Sequence, residues 1–395
     1  MSLFSSFLKK KKEIVAIFDI GSGSVGGAII EIDHTGKVPR SKILYTTRAQ
    51  IVLQMNLNFE QFLSSMLRSL AEVTEDIEKK ALGAPDRVHC FLASPWYGSQ
   101  TRVVTYSKNT DFIVTEKILN NLMEKEIKAF EQDELKKYTG LGTHARIIEH
   151  QNIKVSMNGY MTASPVGKKA RSLELVLFVS MSPENVLRAI EKSIKNKFSI
   201  SKIRFSSFIF ASFIVARDAF IGQKNFLLLD IGGEITDVAI VKNEVIVESL
   251  SFPLGKNFLI RRIASLLNVT PANALPLLKL YISSQLEETV MLKFSGTLQK
   301  ARIEWLTHFQ NALAAVSSDL YLPDNIFMTV DSDVASWFSD SIKKEEYNQY
   351  TLTERQFNVI VLEESPLGDD VDFAPGAERD QFLMIEAICA VKLSN

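Results

Sequence analysis

The sequence predicts an α/β protein of two lobes built on one duplicated unit. Two segments carry the same succession of strand, Asp-Ile-Gly, tight turn and second strand, one around Asp19 and the other around Asp230. Helical stripes and short β-branched runs fill the rest, as in sheets covered by helices. The chain has 395 residues, enough for two or more packed units with real cores. Lys plus Arg number 45 and Asp plus Glu 46, a net charge of −1, so no overall field favours nucleic acid and none is expected as a partner. Two cysteines, Cys90 and Cys389, and five scattered histidines exclude a disulfide framework or a metal centre built on them. The most apolar run, 205–216, is well short of the ~20 residues that span a bilayer.

The elements follow in order. Residues 1–12 form an amphipathic basic arm. Leu3, Phe4, Phe7 and Leu8 share one helical face and Lys9, Lys10, Lys11 and Lys12 follow at headgroup level, the pattern of a weak peripheral tether on the inner face of a cell membrane. An apolar strand then ends at Asp19. After a turn and an alternating strand, Asn58 caps a helix over 59–80 with a core stripe through Phe62, Met66, Leu70, Val73 and Ile77. A strand over 87–94 runs into Pro95-Trp96-Tyr97-Gly98, where a new unit begins. Residues 98–180 read as an inserted domain with a helix over 115–137. Ser182-Pro183 gives an N-cap and first helical position, with Val186, Leu187, Ile190 and Ile194 inward. The first lobe thus takes 13–97 and 181–199, and the second takes 200–395. Thr270-Pro271 repeats the capping arrangement, with Pro276 inside the helix where a kink is expected. Residues 363–380, acidic and rich in Pro and Gly, read as a solvated loop, and the final FLMIEAICAVKL as a last strand.

The chemistry lies in the two turns. Gly21, Gly23 and Gly26 spell a dinucleotide-binding pattern, but a second strand follows them instead of a helix, so that reading fails on context. Glycine in paired hairpin turns lets backbone N–H groups approach phosphate oxygens, and Asp19 and Asp230, at the strand ends, are placed to hold water on Mg²⁺. The candidate nucleotide contacts are Asp19, Gly21, Ser22, Gly23 and Ser24 in the first turn, and Asp230, Gly232, Gly233, Thr236 and Asp237 in the second.

These turns resemble the phosphate motifs of the actin, Hsp70 and sugar-kinase superfamily, in which two ribonuclease-H-like halves close on ATP. Ser251-Phe252-Pro253-Leu254-Gly255, Thr270-Pro271 with Leu278, Lys279 and Tyr281, and Asn158-Gly159-Tyr160 with Pro165 to Ala170 resemble the bacterial actin-like families of FtsA and PilM. The resemblance implies an α/β actin-like two-lobe fold with an inserted SHS2 domain, and ATP with Mg²⁺ as cofactors. It implies two roles, the first favoured by the inserted-domain residues and Ser251 to Gly255 and the second by the Phe- and Lys-rich start, with an active ATPase as a further alternative. One is an FtsA-like scaffold under the inner membrane that recruits division proteins such as FtsZ and self-associates. The other is a PilM-like adaptor that binds a cytoplasmic PilN-type peptide in type IV pilus assembly.

Three departures fall on the nucleotide. Asp331-Ser332-Asp333 follows the late strand 325–330 where the superfamily has glycines, no carboxylate lies between 203 and 216, and Glu234 replaces a turn glycine. A degenerate site with weak ATPase activity or none is expected. Lys256, Arg261 and Arg262, at the start of the helix after the second hairpin, are candidate contacts for an acidic peptide.

Overall fold

A computed structural model describes residues 12–36, 39–80, 82–137, 144–316, 322–345, 347, 356–363, 367–368 and 370–393. The arm residues Leu3 to Lys11 lie outside the described residues. Lys12 opens β1 (Lys12–Ile20), and its ammonium pairs with Glu31 at 2.8 Å on the neighbouring strand.

β1 and β2 (Ser24–Asp33) form a hairpin with Asp19 opposite Gly26, and β3 (Arg40–Gln50) adds antiparallel to β2. α1 (Phe59–Lys79) starts at Asn58, whose side chain accepts the Gln61 N–H at 3.1 Å, and its expected stripe is buried against this sheet. Gly27 allows the close approach, since a Cβ there would stand 2.4 Å from Val73. β4 (Arg87–Leu92) lies parallel to β1.

The insert comprises β5 (Gly98–Ile113), α2 (Glu116–Lys137), β6 (Ala145–Met157), β7 (Tyr160–Met161) and β8 (Lys169–Pro183), in sheet order β5-β8-β6-β7. Its apolar clusters, around Phe112 and Leu175 and around Phe130 and Val179, are separate from the main cores. α3 (Glu184–Lys195) buries Val186, Leu187, Ile190 and Ile194, but its N-cap is Pro183. The Ser182 hydroxyl instead donates to the Trp96 carbonyl at 2.7 Å, because β8 runs on to Pro183 and leaves Ser182 inside the sheet.

β9 (Ile203–Ser207) lies parallel to β4, so a second-lobe boundary at 200 is too early: the first sheet continues to Ser207. α4 (Phe208–Ala219) follows, then β10 (Phe226–Ile231), β11 (Thr236–Lys242) and β12 (Val245–Phe252). α5 (Lys256–Leu267), α6 (Pro271–Ile282) and α7 (Glu288–Val316) come next. α6 continues through Pro276, which is exposed. The chain ends with β13 (Asn325–Val330), α8 (Ser332–Lys343), β14 (Asn358–Val361), β15 (Val371–Phe373) and α9 (Gln381–Lys392).

The duplication is complete in topology. The first sheet reads β15-β3-β2-β1-β4-β9 and the second β12-β11-β10-β13-β14. Apart from β15, both contain a three-strand antiparallel meander whose first strand continues into two parallel neighbours. Segment 371–373, expected in a solvated loop, pairs parallel with β3, where Val371 is buried. The C-terminal segment, expected as a strand, is α9. Its apolar residues occur on every side because it packs with α4 between the two sheets, and a helix buried all round loses its stripe. The second core lies on the far side of the second sheet, under α5 to α8.

The candidate site is an interlobe cleft closed by internal ion pairs

The two glycine turns meet as the sequence predicts, but they meet each other. A Cβ placed on Gly233 would stand 2.4 Å from the Gly23 Cα, so backbone lies on backbone. The Glu234 N–H donates to the Ser22 Oγ at 3.0 Å across the junction. Within the turns, Gly21 N–H donates to Ser24 O at 3.1 Å and Gly232 N–H to Ile235 O at 2.9 Å. Three N–H groups of the turns are therefore already used. Thr236 points away, donating to Leu254 O at 2.7 Å, and Asp237 faces a separate cavity beside the insert.

Arg48 on β3 extends to the end of β1. Its guanidinium bonds Asp19 at 2.8 Å, Asp380 at 2.6 Å and the Ser24 hydroxyl at 2.8 Å, and stacks over Phe382. Asp380 is also the N-cap of α9, accepting from Phe382 and Leu383 N–H groups. Burial works against charge on Asp380, yet Arg48 and these N–H groups hold its carboxyl below the ordinary value. Burial raises Asp19, with Arg48 opposing, and pushes the carboxyl of Glu386, on α9, well above its usual range. Asp19 and Asp380 thus share one arginine. Asp230 accepts from the Thr329 hydroxyl at 2.6 Å, and burial, followed by the charge of Asp237, raises it far above a normal aspartate.

Two of the three departures are compensated locally. Glu234 is held by both terminal nitrogens of Arg261 at 2.7 and 2.8 Å and by Asn257 at 2.8 Å, while the Arg261 Nε–H donates to Gln54 O across the cleft. Lys256 pairs with Asp331, and Lys279 with Asp333 at 3.2 Å. Arg262 pairs with Glu304. Lys256, Arg261 and Arg262, the expected contacts for an acidic peptide, each pair with a carboxylate of the same chain. Sequence reasoning missed Arg48, Asp380 and Gln54; nothing in an alternating strand or an acidic loop marks residues that meet only through the fold.

No group of three or more His, Cys, Asp or Glu that could hold a metal ion occurs among the described residues. The space between Asp19, the turns and Asp230 measures about 40 Å³, room for a few waters and well below the ~300 Å³ of the smallest ligand pockets. The residues present do not fit a magnesium nucleotide: the turns touch, three of their N–H donors are used, and a guanidinium bonds the carboxylate that would face the metal.

No family model matches the chain, and no curated protein matches it. Among solved structures it is similar to a chain of the PilM–PilN type IV pilus biogenesis complex, with TM-score 0.58 and 13% identity over 96% of each chain. It is also similar to a protein of unknown function with an actin-like ATPase fold from Bacteroides thetaiotaomicron (TM-score 0.43, 9% identity, 96% and 97% covered). A third is the ethanolamine utilization protein EutJ from Carboxydothermus hydrogenoformans (TM-score 0.40, 12% identity, 96% and 89% covered). The fold is the α/β actin-like ATPase fold. At these identities the likeness establishes the fold alone.

Proposed function

We propose that the chain is an actin-fold adaptor, a platform for a short cytoplasmic peptide of a membrane protein, in the manner of PilM, and that it does not turn over ATP. The observation that carries this is the closed cleft, since a fold whose phosphate turns are bonded to each other offers its surfaces and not its nucleotide site. The likeness to the PilM–PilN structure over 96% of both chains supports it. On this reading 98–180 is an SHS2-type insert, and the Phe- and Lys-rich start keeps the chain near the inner membrane face. No helix among the described residues is long and apolar enough to cross a membrane. The division-scaffold alternative, with FtsZ as partner, rests on the sequence resemblance.

The test is fluorescence anisotropy with labelled cytoplasmic termini of membrane proteins encoded beside this chain. Saturable micromolar binding, unchanged by ATP and Mg²⁺, is the expected result. ATP hydrolysis that disappears in Asp230→Ala would overturn the reading, and binding confined to an FtsZ tail would move it to division.

A further inference from the structure

Asp237 is the cross-strand partner of Asp230, on the second strand of the second hairpin. It is only 6% exposed, and no cation pairs with it among the described residues. That sets it apart from Asp19, Glu234, Asp331, Asp333 and Asp380, each of which has an arginine or lysine. The hydroxyls of Ser94 and Ser251 both donate to its Oδ1, the first at 2.8 Å.

This carboxylate lines a cavity of about 300 Å³ where the root of the insert, the start of α4 and the second lobe meet. The volume is at the lower end for small-ligand pockets, ~300–1,000 Å³. Around Asp237 the polar wall is made of the hydroxyls of Ser94, Tyr97, Ser99, Ser249 and Ser251 and the amide of Gln100, all neutral. Ile209 and Leu250 supply an apolar wall, and no Lys, Arg or His lines the space.

The geometry points to a receptor for a primary ammonium group, which we infer is a lysine side chain or a free N-terminus of a bound peptide. An ammonium has three donors and no acceptor, so one carboxylate plus hydroxyl oxygens satisfies it, while the apolar wall covers the methylene stem. A buried carboxylate without a counter-cation also gains most from one, because the low local dielectric strengthens their attraction. An anionic ligand is disfavoured, since every ionisable charge on the wall is negative. A ligand here would touch the insert and both lobes, and so would read their relative placement.

The pocket stands apart from the adaptor reading; only the peptide source of the ammonium rests on it. The first probe is n-butylammonium, observed by saturation-transfer NMR with the full chain, with n-butanol as neutral control. Saturation of butylammonium but not butanol is expected, with affinity at least tenfold weaker in Asp237→Asn, whose amide oxygen still accepts from both serines. A second variant, Ser249→Lys, tethers an ammonium in the cavity and should abolish binding of the probe. Equal saturation by butanol, or undiminished butylammonium binding in both variants, would overturn the proposal. Peptides with one lysine and an acetylated N-terminus, set against lysine-free peptides with a free N-terminus, distinguish the two sources. If peptides bind but Asp237→Asn binds them as wild type does, the peptide assignment falls and the adaptor reading stands. If butylammonium binds and no peptide does, the peptide assignment falls and the pocket stands as an ammonium site.

Discussion

Glu149 shows how a buried acid ties stability to pH. It sits at an irregularity in β6, where Oε2 accepts from the Ser207 hydroxyl at 2.8 Å and from Ser180 at 3.2 Å, while Oε1 is buried with no hydrogen-bond partner. Burial, partly offset by the Ser207 hydroxyl and N–H, raises its pKa from 4.5 to about 7. The unfolded chain releases this proton near 4.5 and the folded chain near 7, so between those values the folded state binds more protons and stability falls as pH rises. The size is ~3 kcal/mol, from about 1.36 kcal/mol per pH unit. Asp237, raised to about 6 chiefly by burial, adds a slope of the same sign below that pH. Urea denaturation should therefore give greater stability at pH 5 than at pH 7.5, and Glu149→Gln should flatten much of the difference; an unchanged slope in the variant would assign it elsewhere. Arg48 is the opposite case, a buried cation among acids. Arg48→Met removes the counter-charge of Asp19 and Asp380 and should cost about 3–5 kcal/mol, the range for breaking a buried pair from one side, read from the same urea curves.

At the scale of elements, what could be read from the chain was what repeats locally. The two hairpins, the cap at Asn58 and the stripes of α1 and α3 depend on neighbours a few residues away, and all were legible. α9 was not, because a helix between two sheets has no polar face to set a period of 3.6 residues. β15 was not, because three residues added to an edge strand carry too short a pattern. The site was legible in its parts and not in its state: Asp19, the glycines and Asp230 stand at the strand ends and turns as expected, but what occupies them comes from elsewhere, Arg48 of β3 on Asp19, Thr329 of β13 on Asp230 and each turn's backbone on the other. The α9 cap can be separated from its ion pair. Asp380→Asn keeps an oxygen for the Phe382 and Leu383 N–H groups and loses the charge that faces Arg48, whereas Asp380→Ala loses both. The alanine variant should be less stable than the asparagine variant by ~1 kcal/mol, the worth of an N-cap. Equal stability would mean that the side-chain oxygen contributes nothing to the start of α9.

For the whole molecule, closure is built in at several depths. The lobes share the α4 and α9 layer, the Gln381 amide bonds the Val330 carbonyl, and Ser94 reaches Asp237 across the junction. Arg261 grips Glu234 on its own lobe while bonding Gln54 O on the other. In an actin-like fold a nucleotide would bring such groups together; here the chain's own side chains and backbone do so. Calorimetry with millimolar ATP and Mg²⁺ should therefore show no saturable heat, and hydrogen exchange in both turns should be equally slow with and without the nucleotide. The turn contact has a direct probe. Because a Cβ at Gly233 would meet Gly23 backbone at 2.4 Å, with no flexible side chain to yield, Gly233→Ala must part the turns. Overpacking of this kind costs about 1–3 kcal/mol, and exchange at Gly23 and Glu234 should quicken together. A variant with wild-type Tm and exchange would mean that the turns are apart in solution, and the space between them would then be open to a phosphate.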